Sequence, residues 1–502
     1  MSVARAEDTA DQVAAIDLGS NSFHMVVARV EGTDLKVMDR LREPVRLAAG
    51  LGGNKRLTPE AVERALACLE RFGQRVRELP PGSVRAVGTN TLRKAKDRRG
   101  FLAAAGRALG HDVEVVSGYE EARLIYLGVA HSLADDEDRR LVMDIGGGST
   151  ELIIGERFAP RLMESLHMGC VSVTQDFFAD GAITAKRMAR AELAAQRELE
   201  PVAERFRELG WSRAVGASGT IRAIDRTLRE NGWSDGAIGP AGLARLRKAL
   251  IAAGHVDRLN LKGLGGERAQ VIPGGFAVLS GAFRQLDLER LDAADGALRE
   301  GLLYDLLGRI RHEDVRSASV VGLARRYHAD AAQAARVETT AGYLLAQVAD
   351  DWGLQGQARA RLLAWAAQLH EVGLDISHSQ YHKHGAYIVG WSDLAGFSRD
   401  EQQVLATLVR AHRRKFPLGQ FRDLPGGWAD TAMRLAVLLR LAVVLHRGRS
   451  PDPLPAVTLR ARESELALAF PAGWLDRHPL AGADLEEEAA YLANAGFTLG
   501  LE

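Results

Sequence analysis

The stretch that decides the fold is LVMDIGGGSTELIIG, running from Leu141 to Gly155. Two apolar, β-branched runs flank three glycines and two hydroxyls, with Asp144 before the turn and Glu151 after it. This pattern predicts a β-hairpin. Glycine lets the backbone turn tightly and lets a ligand come close to its N–H groups. Two acids beside such a loop suit a place where a cation and an anion meet, as magnesium and phosphate do. Taken alone, the stretch reads equally well as an ordinary Gly-rich hairpin in a sheet.

It is not alone. AAIDLGSNSFHMVVARV begins at Ala14, and a shift of 127 residues (144 − 17) lays Asp17 on Asp144, Gly19 on Gly146 and Ser22 on Ser149. The same shift lays Met25-Val26-Val27 on Leu152-Ile153-Ile154. An internal repeat of this kind predicts a duplicated domain, with two phosphate-cradling loops facing each other across a cleft.

The totals leave room for this. A chain of 502 residues holds three or four domains. Hydrophobic residues make up 46%, enough for several cores. Lys plus Arg and Asp plus Glu both number 65, so no global field draws nucleic acid or a membrane, and a polyanion site must come from local clustering. Cys68 and Cys170 are the two cysteines, which argues against a disulfide framework and for a reducing cytosol. The N-terminus, MSVARAEDTADQ, has no apolar signal region. The most apolar helix, MRLAVLLRLAVVLH, is interrupted by Arg434 and Arg440 and reads as a buried helix with two charged sides rather than a membrane span.

Along the chain, strand and helix signals alternate to about residue 307. Thr58 and Pro59 open a helix in TPEAVERALACLERFGQRVREL, and SVRAVGT and DVEVVSG read as strands. EEARLIYLGVAHSL reads as a helix, the acidic ADDEDRR at 134–140 as a turn, and AVGASGT and AADGALREG as turns that open helices. Beyond RHEDVRS long helical periods dominate, and AVTLRARESELALAF predicts a late hairpin. The expected domains are 1–125 and 126–307, both α/β, then an all-α domain at 308–450 and a small mixed α+β domain at 451–502.

With these pieces in place, the first 307 residues resemble the actin-like (ribonuclease H-like) ATPase superfamily. The closer resemblance is to the exopolyphosphatase and guanosine pentaphosphate phosphatase family, carried by DLGSNSFHMVVARV, GTNTLRKAKD, SGYEEARLIYLGV, DIGGGSTELIIG, MGCVSVTQDFF and DGALREG. The likeness continues into WAAQLHEVGLDISHSQYHKHGAYI and so covers nearly the whole chain. GGGSTEL, with His378 and His382, looks more like the exopolyphosphatase branch.

The resemblance implies roles for particular residues. Glu121, the second of its acidic pair, matches the catalytic glutamate that orients and deprotonates water, while Glu120 reads as structural. Arg93 matches the motif arginine, whose planar fork suits phosphate. Asp144 and Glu151 are expected to hold Mg2+, or Mn2+ in its place, and Asp17 to share the ion's water shell. Asn21 and Ser22 on one side, and Gly146, Gly147, Gly148 and Ser149 on the other, are expected to bind phosphate. GASGT, Gly216 to Thr220, lies where the superfamily holds an adenosine. The helical domain resembles metal-dependent His-Asp phosphohydrolases, but His370-Glu371 replaces the His-Asp pair and Val443 stands where an aspartate is expected. His378, His382, His384 and His412 to Lys415 are alternatively a channel for a long polyanion or a solvated basic face.

The expected activity is therefore release of orthophosphate from the ends of inorganic polyphosphate. The alternatives are a guanosine pentaphosphate (pppGpp) 5′-phosphohydrolase, a kinase on the same fold, and a non-catalytic phosphate or nucleotide sensor. The resemblance further implies stimulation by K+ and a homodimer; the charge balance argues against a nucleic-acid partner, and the cysteine usage for a cytoplasmic location, with or without peripheral association at the inner face of the cell membrane.

Overall fold

Both glycine-rich stretches fold as the hairpins their patterns predict. The computed structural model describes residues 12–31, 34–133, 138–234, 236–294, 296–310, 314–425 and 427–502. Residues 1–11, and the part of the expected acidic turn at 134–137, lie outside them. The chain divides into two compact units, Met1–Asp314 and Val315–Glu502.

The first unit holds two five-stranded sheets. One contains β1 (Gln12–Leu18), β2 (Phe23–Glu31), β3 (Asp34–Glu43), β4 (Val84–Gly88) and β5 (Val113–Val115), in the order β3-β2-β1-β4-β5. The other contains β6 (Arg139–Ile145), β7 (Thr150–Glu156), β8 (Ala159–Leu166), β9 (Arg213–Gly216) and β10 (Asp292–Ala293), in the order β10-β9-β6-β7-β8. Read from β8, the second order repeats the first strand for strand. The duplication seen in two hairpins therefore extends over both sheets.

Central strands explain the apolar runs. Val13, Ala14, Ala15 and Ile16 of β1 are all fully buried. Alternate residues serve opposite faces, as the two-residue period of a strand requires. Ala14, Ile16 and Leu18 pack on one side with Leu69 and Phe72 of the helix Pro59–Val76 and with Leu109 of Arg98–Leu109. Val13 and Ala15 pack on the other side with Val142 and Ile153 of the second sheet. The helices Gly118–Ser132 and Leu298–Ile310 fill the space between the sheets, contributing Leu124, Val129, Leu302 and Leu306 to this shared core. They cross closely: a Cβ on Gly301 would lie 1.8 Å from Leu124 O, and one on Gly128 would lie 2.1 Å from Ala297 O. No side chain fits there. The crossing brings the first turns of both helices, with Glu121 and Arg299, to one cavity.

A buried ion network pins the same pair of helices. Arg123 donates two 2.8 Å bonds to Glu120 and a further one to Asp305, which also accepts from Arg85 of β4 and, at 2.8 Å, from Arg309. Glu120 has no exposure at all.

The second unit is helical apart from one small sheet, β11 (Thr458–Arg462), β12 (Glu465–Ala469) and β13 (Thr498–Leu501). β11 and β12 form the late hairpin, and β13 pairs parallel to β12. Its apolar core runs without a break from Val320 through Leu435 and Leu438 to Leu466, Leu485 and Phe497, so the last fifty residues share the core of the helices. The helix Trp428–Leu445 corrects one expectation. Arg440 does not form a charged side: it is fully buried, donating at 2.9 Å to Glu488 and at 2.8 Å to Arg414 O. Among the described residues no helix is long and apolar enough to cross a membrane.

Candidate active site

The two hairpin turns line one cavity of about 580 Å³. Asp17, Asn21 and Ser22 line it from the first sheet, Asp144, Gly146, Gly147 and Ser149 from the second, and Glu121 from the helix between them. The turns share one geometry. A Cβ on Gly19 would meet Ser22 O at 2.8 Å, and one on Gly146 would meet Ser149 O at 3.1 Å. They also touch across the cleft, since a Cβ on Gly147 would lie 2.9 Å from Ser20 Cβ. The carbonyls of Gly146 and Gly147 accept from the N–H groups of Cys170 and Val171 at 2.9 and 2.8 Å, which fixes the orientation of the second loop.

Three expected residues stand just behind the wall. Gly148 packs against Asn90, whose Oδ1 would lie 2.7 Å from an added Cβ. Arg93, on the short helix Asn90–Lys94, donates from Nη1 to Glu121 Oε2 at 2.6 Å and to Val116 O at 3.2 Å. Glu151 is 1% exposed and accepts from Ser165 Oγ at 2.8 Å. It pairs in register with Asp144, as Asp17 does with His24.

Negative charge is concentrated here. Burial first, then the Glu121 carboxylate, push the Asp17 carboxyl up to about 8, with Asp144 and Glu300 acting the same way against Arg299. The same two leading causes raise Asp144 to about 7, opposed by Arg222, Arg299 and Arg268. Glu151 is also raised, by burial and then by Glu121 and Asp144. Asp17 Oδ1 is a buried acceptor that no described residue satisfies.

Sequence reasoning missed the opposite charge. Arg42, Arg222, Arg268 and Arg299 line the same cavity, with His24 and the Ser218–Gly219–Thr220 turn. Arg268 has no ion pair among the described residues, and its Nη2 would lie 2.2 Å from a Cβ on Gly219. Burial, and among its charged neighbours Arg42 and Arg222, hold the Arg268 guanidinium below its usual range. Burial and the arginines, Arg299 foremost, push His24 down to about 3. His24 and Arg299 stood inside motifs already singled out, while Arg268 lies in GGERAQ, which carries no local signal.

Comparison with known proteins gives this geometry a context. The family model described as the Ppx/GppA phosphatase family matches residues 25–310, and that of Ppx/GppA phosphatase, domain III, matches residues 315–489. The chain belongs to the Ppx/GppA phosphatase family. It is a hydrolase of phosphoanhydride bonds, and its first unit has the duplicated actin-like fold of Ppx/GppA proteins. The chain is 41% identical over 492 residues to the guanosine-5′-triphosphate,3′-diphosphate pyrophosphatase of Vibrio cholerae serotype O1, covering 97% of this chain and 98% of that relative. The protein of the same name from Vibrio vulnificus is 41% identical over 490 residues, with the same coverages. The crystal structure of the Aquifex aeolicus Ppx/GppA family member matches 60% of this chain and 99% of its own, at 26% identity and a TM-score of 0.50. An exopolyphosphatase from Cytophaga hutchinsonii shares the fold at 23% identity and a TM-score of 0.54, over 60% of this chain and 98% of its own.

Within the Ppx/GppA domain III segment the expected polyanion channel changes character. His378 is exposed, but His382 and His412 are 4% and 1% exposed. Their rings lie 6.3 Å apart, and His412 packs at 5.4 Å from the ring of His370. His370 and His412 donate from Nδ1 to Ala367 O and Val409 O, both at 2.6 Å. These imidazoles are interior groups rather than a basic face.

Proposed function

We propose that the protein is a guanosine pentaphosphate 5′-phosphohydrolase, which removes the terminal 5′-phosphate of pppGpp and leaves ppGpp and orthophosphate. The observation that carries this reading is the full-length identity of 41% to proteins named for that class of substrate. The cavity supports it. A linear polyphosphate end needs one anion cradle, whereas pppGpp carries a second phosphate group on the 3′ side. Arg268 packs against Gly219 in the Ser218–Thr220 turn, with Arg222 and Arg42 as charged neighbours; Arg42 also reaches Ser22 Oγ at 3.4 Å, so the cluster borders the first cradle and offers donors to a second anion.

In this reading the loop N–H groups and hydroxyls around Asn21, Ser22, Gly146, Gly147, Gly148 and Ser149 hold the terminal phosphates. Glu121 orients the attacking water and takes its proton, while Arg93 fixes the Glu121 carboxylate and offers its remaining donors to the transferred phosphoryl group. Asp17, Asp144 and Glu151 fit a divalent cation. All three are buried acids held above the usual carboxylate range by burial and by Glu121, with Asp144 adding to the shift of Asp17 and of Glu151, and Asp17 Oδ1 lacks a partner among the described residues. Among the described residues no three His, Cys, Asp or Glu side chains are grouped to hold an ion unaided. That suits Mg2+, which takes one or two carboxylates and fills its remaining positions with water and phosphate oxygens. When bound, Mg2+ or Mn2+ would supply charge neutralisation for the phosphate chain. Activation by K+, a homodimer, and contact with the inner face of the membrane belong to the same reading through family resemblance. Activity with and without K+, mass in solution and vesicle sedimentation test them.

The direct test is product identification. Incubated with pppGpp and Mg2+, the protein should yield ppGpp and one equivalent of orthophosphate; pyrophosphate as product, or no turnover, would refute the assignment.

A further inference from the structure

Two residues inside the quoted motifs have no role so far: His24 of GSNSFHM and Arg299 of GALREG. They lie 275 positions apart and meet at the cavity wall, with Arg299 Nη1 3.1 Å from His24 Nδ1. A guanidinium carries donors and no acceptor, so Nδ1 must accept and the ring proton sits on Nε2. The contact itself thus selects a neutral imidazole in one tautomer.

Arg299 is held from a second side. Its Nη2 lies 3.5 Å from Glu300 Oε1, a carboxylate shared with Arg40 at 3.7 Å. Glu300 Oε2 in turn accepts the N–H of Ala297 at 2.9 Å, fixing this arrangement to the start of the helix Leu298–Ile310. The Arg299 side chain is 12% exposed. Besides Glu300, shared with Arg40, the Arg299 guanidinium acts on the buried Asp17 and Asp144 carboxyls, which places its charge at the acidic centre of the cavity. His24 stands opposite Asp17 in the β1–β2 register, so that charge is placed beside the first phosphate loop.

We propose that Arg299 is a further catalytic residue, which binds the departing 5′-diphosphate of the substrate, and that His24 is the positioning residue that aims it. The inference rests on the phosphatase reading above. The bond that breaks joins the terminal phosphorus to the oxygen bridging it to the middle phosphate; the bond that forms joins that phosphorus to the oxygen of water. The proton of water goes to Glu121, and the electron pair of the broken bond stays on the bridging oxygen. Arg299 takes up the charge that grows there, an interaction stronger in the transition state than before it.

The test uses the full-length protein with Mg2+, measuring kcat on pppGpp and on long-chain polyphosphate and the affinity for ppGpp. Arg299→Met should lower kcat by about 10² or more and weaken ppGpp binding at least about tenfold. His24→Leu should lower kcat by roughly tenfold, the scale of lost outer-shell support. His24→Asn, whose Oδ1 replaces the Nδ1 acceptor, should restore most of that loss. Added to Arg299→Met, His24→Leu should cost nothing further. Near-normal kcat and ppGpp affinity in Arg299→Met would overturn the proposal. An equal loss from His24→Leu in both backgrounds would overturn the positioning role, since a merely structural defect multiplies. The substrate reading fails separately: wild type that cleaves polyphosphate and leaves pppGpp intact overturns that reading, while the Arg299 effect on kcat is then read on polyphosphate.

Discussion

The metal-free protein should lose stability as pH rises, and Asp17 should be the main reason. Its folded carboxyl is raised from 3.8 to about 8, that of Asp144 to about 7. Between about 4 and 8 the folded state therefore binds more protons than the unfolded chain, and the slope of unfolding free energy with pH is negative. Stability is fully present at the acid end of that window and falls until Asp17 is ionised near pH 8. Each unit is worth about 1.36 kcal/mol, so some four units place the Asp17 contribution on the order of 5 kcal/mol. Asp144 is one cause of the Asp17 shift and Glu121 raises both, so their contributions do not add. Asp17→Asn keeps the shape and removes the titration. With a chelator present, denaturant unfolding of the first unit should show the variant and wild type alike near pH 4, and the variant more stable by a few kcal/mol at pH 8. Saturating Mg2+ should close that gap by stabilising wild type. A wild-type curve flat from pH 4 to 8, or a variant destabilised equally at both ends, would refute the reasoning.

Glu121→Gln should lower kcat by about 10²–10⁴, the range of a positioned general base, while ppGpp binding stays within a few-fold; near-normal turnover excludes Glu121 as the base. Ser165→Ala removes the 2.8 Å bond to Glu151 and should raise the Mg2+ concentration for half-activity by about 10–100-fold, with direct Mn2+ binding weakened in step. In the second unit, Glu488→Ala strands the fully buried Arg440 and should cost about 3–5 kcal/mol in unfolding experiments, with no change in the affinity of the first unit for ppGpp.

The fold was legible because its signals are local and repeated. A glycine turn between two β-branched runs, met twice at a constant spacing, specifies two hairpins and their equivalence. The sheets confirm both in strand order. The meeting of Asp17, Ser22, Asp144 and Ser149 at one cavity was legible for the same reason, since the two serines sit in the turns and the two acids in the strands just before them. What long-range packing assembles was not. The contact of Arg299 with His24 and the approach of Arg268 to Gly219 join distant segments that carry no shared period. Arg440 misled for a related reason: periodicity places a charge on a helix face but does not show the Glu488 carboxylate that lets it sit inside. His382 and His412 were read as a polyanion channel or a solvated basic face because a basic run looks alike exposed or buried; the Val409 carbonyl that accepts from His412 exists only in the fold. The branch point between polyphosphate and pppGpp lay beyond local motifs, because both end in the same terminal phosphoanhydride.

The measurement that bears most directly on a two-anion cavity is the ratio of kcat/KM for pppGpp to that for long-chain polyphosphate, taken from orthophosphate release with matched enzyme and Mg2+. A site with Arg42, Arg222 and Arg268 around a second phosphate group should favour pppGpp by about tenfold or more, since one charged contact is worth about 1.5–3 kcal/mol. A ratio at or below one would contradict it.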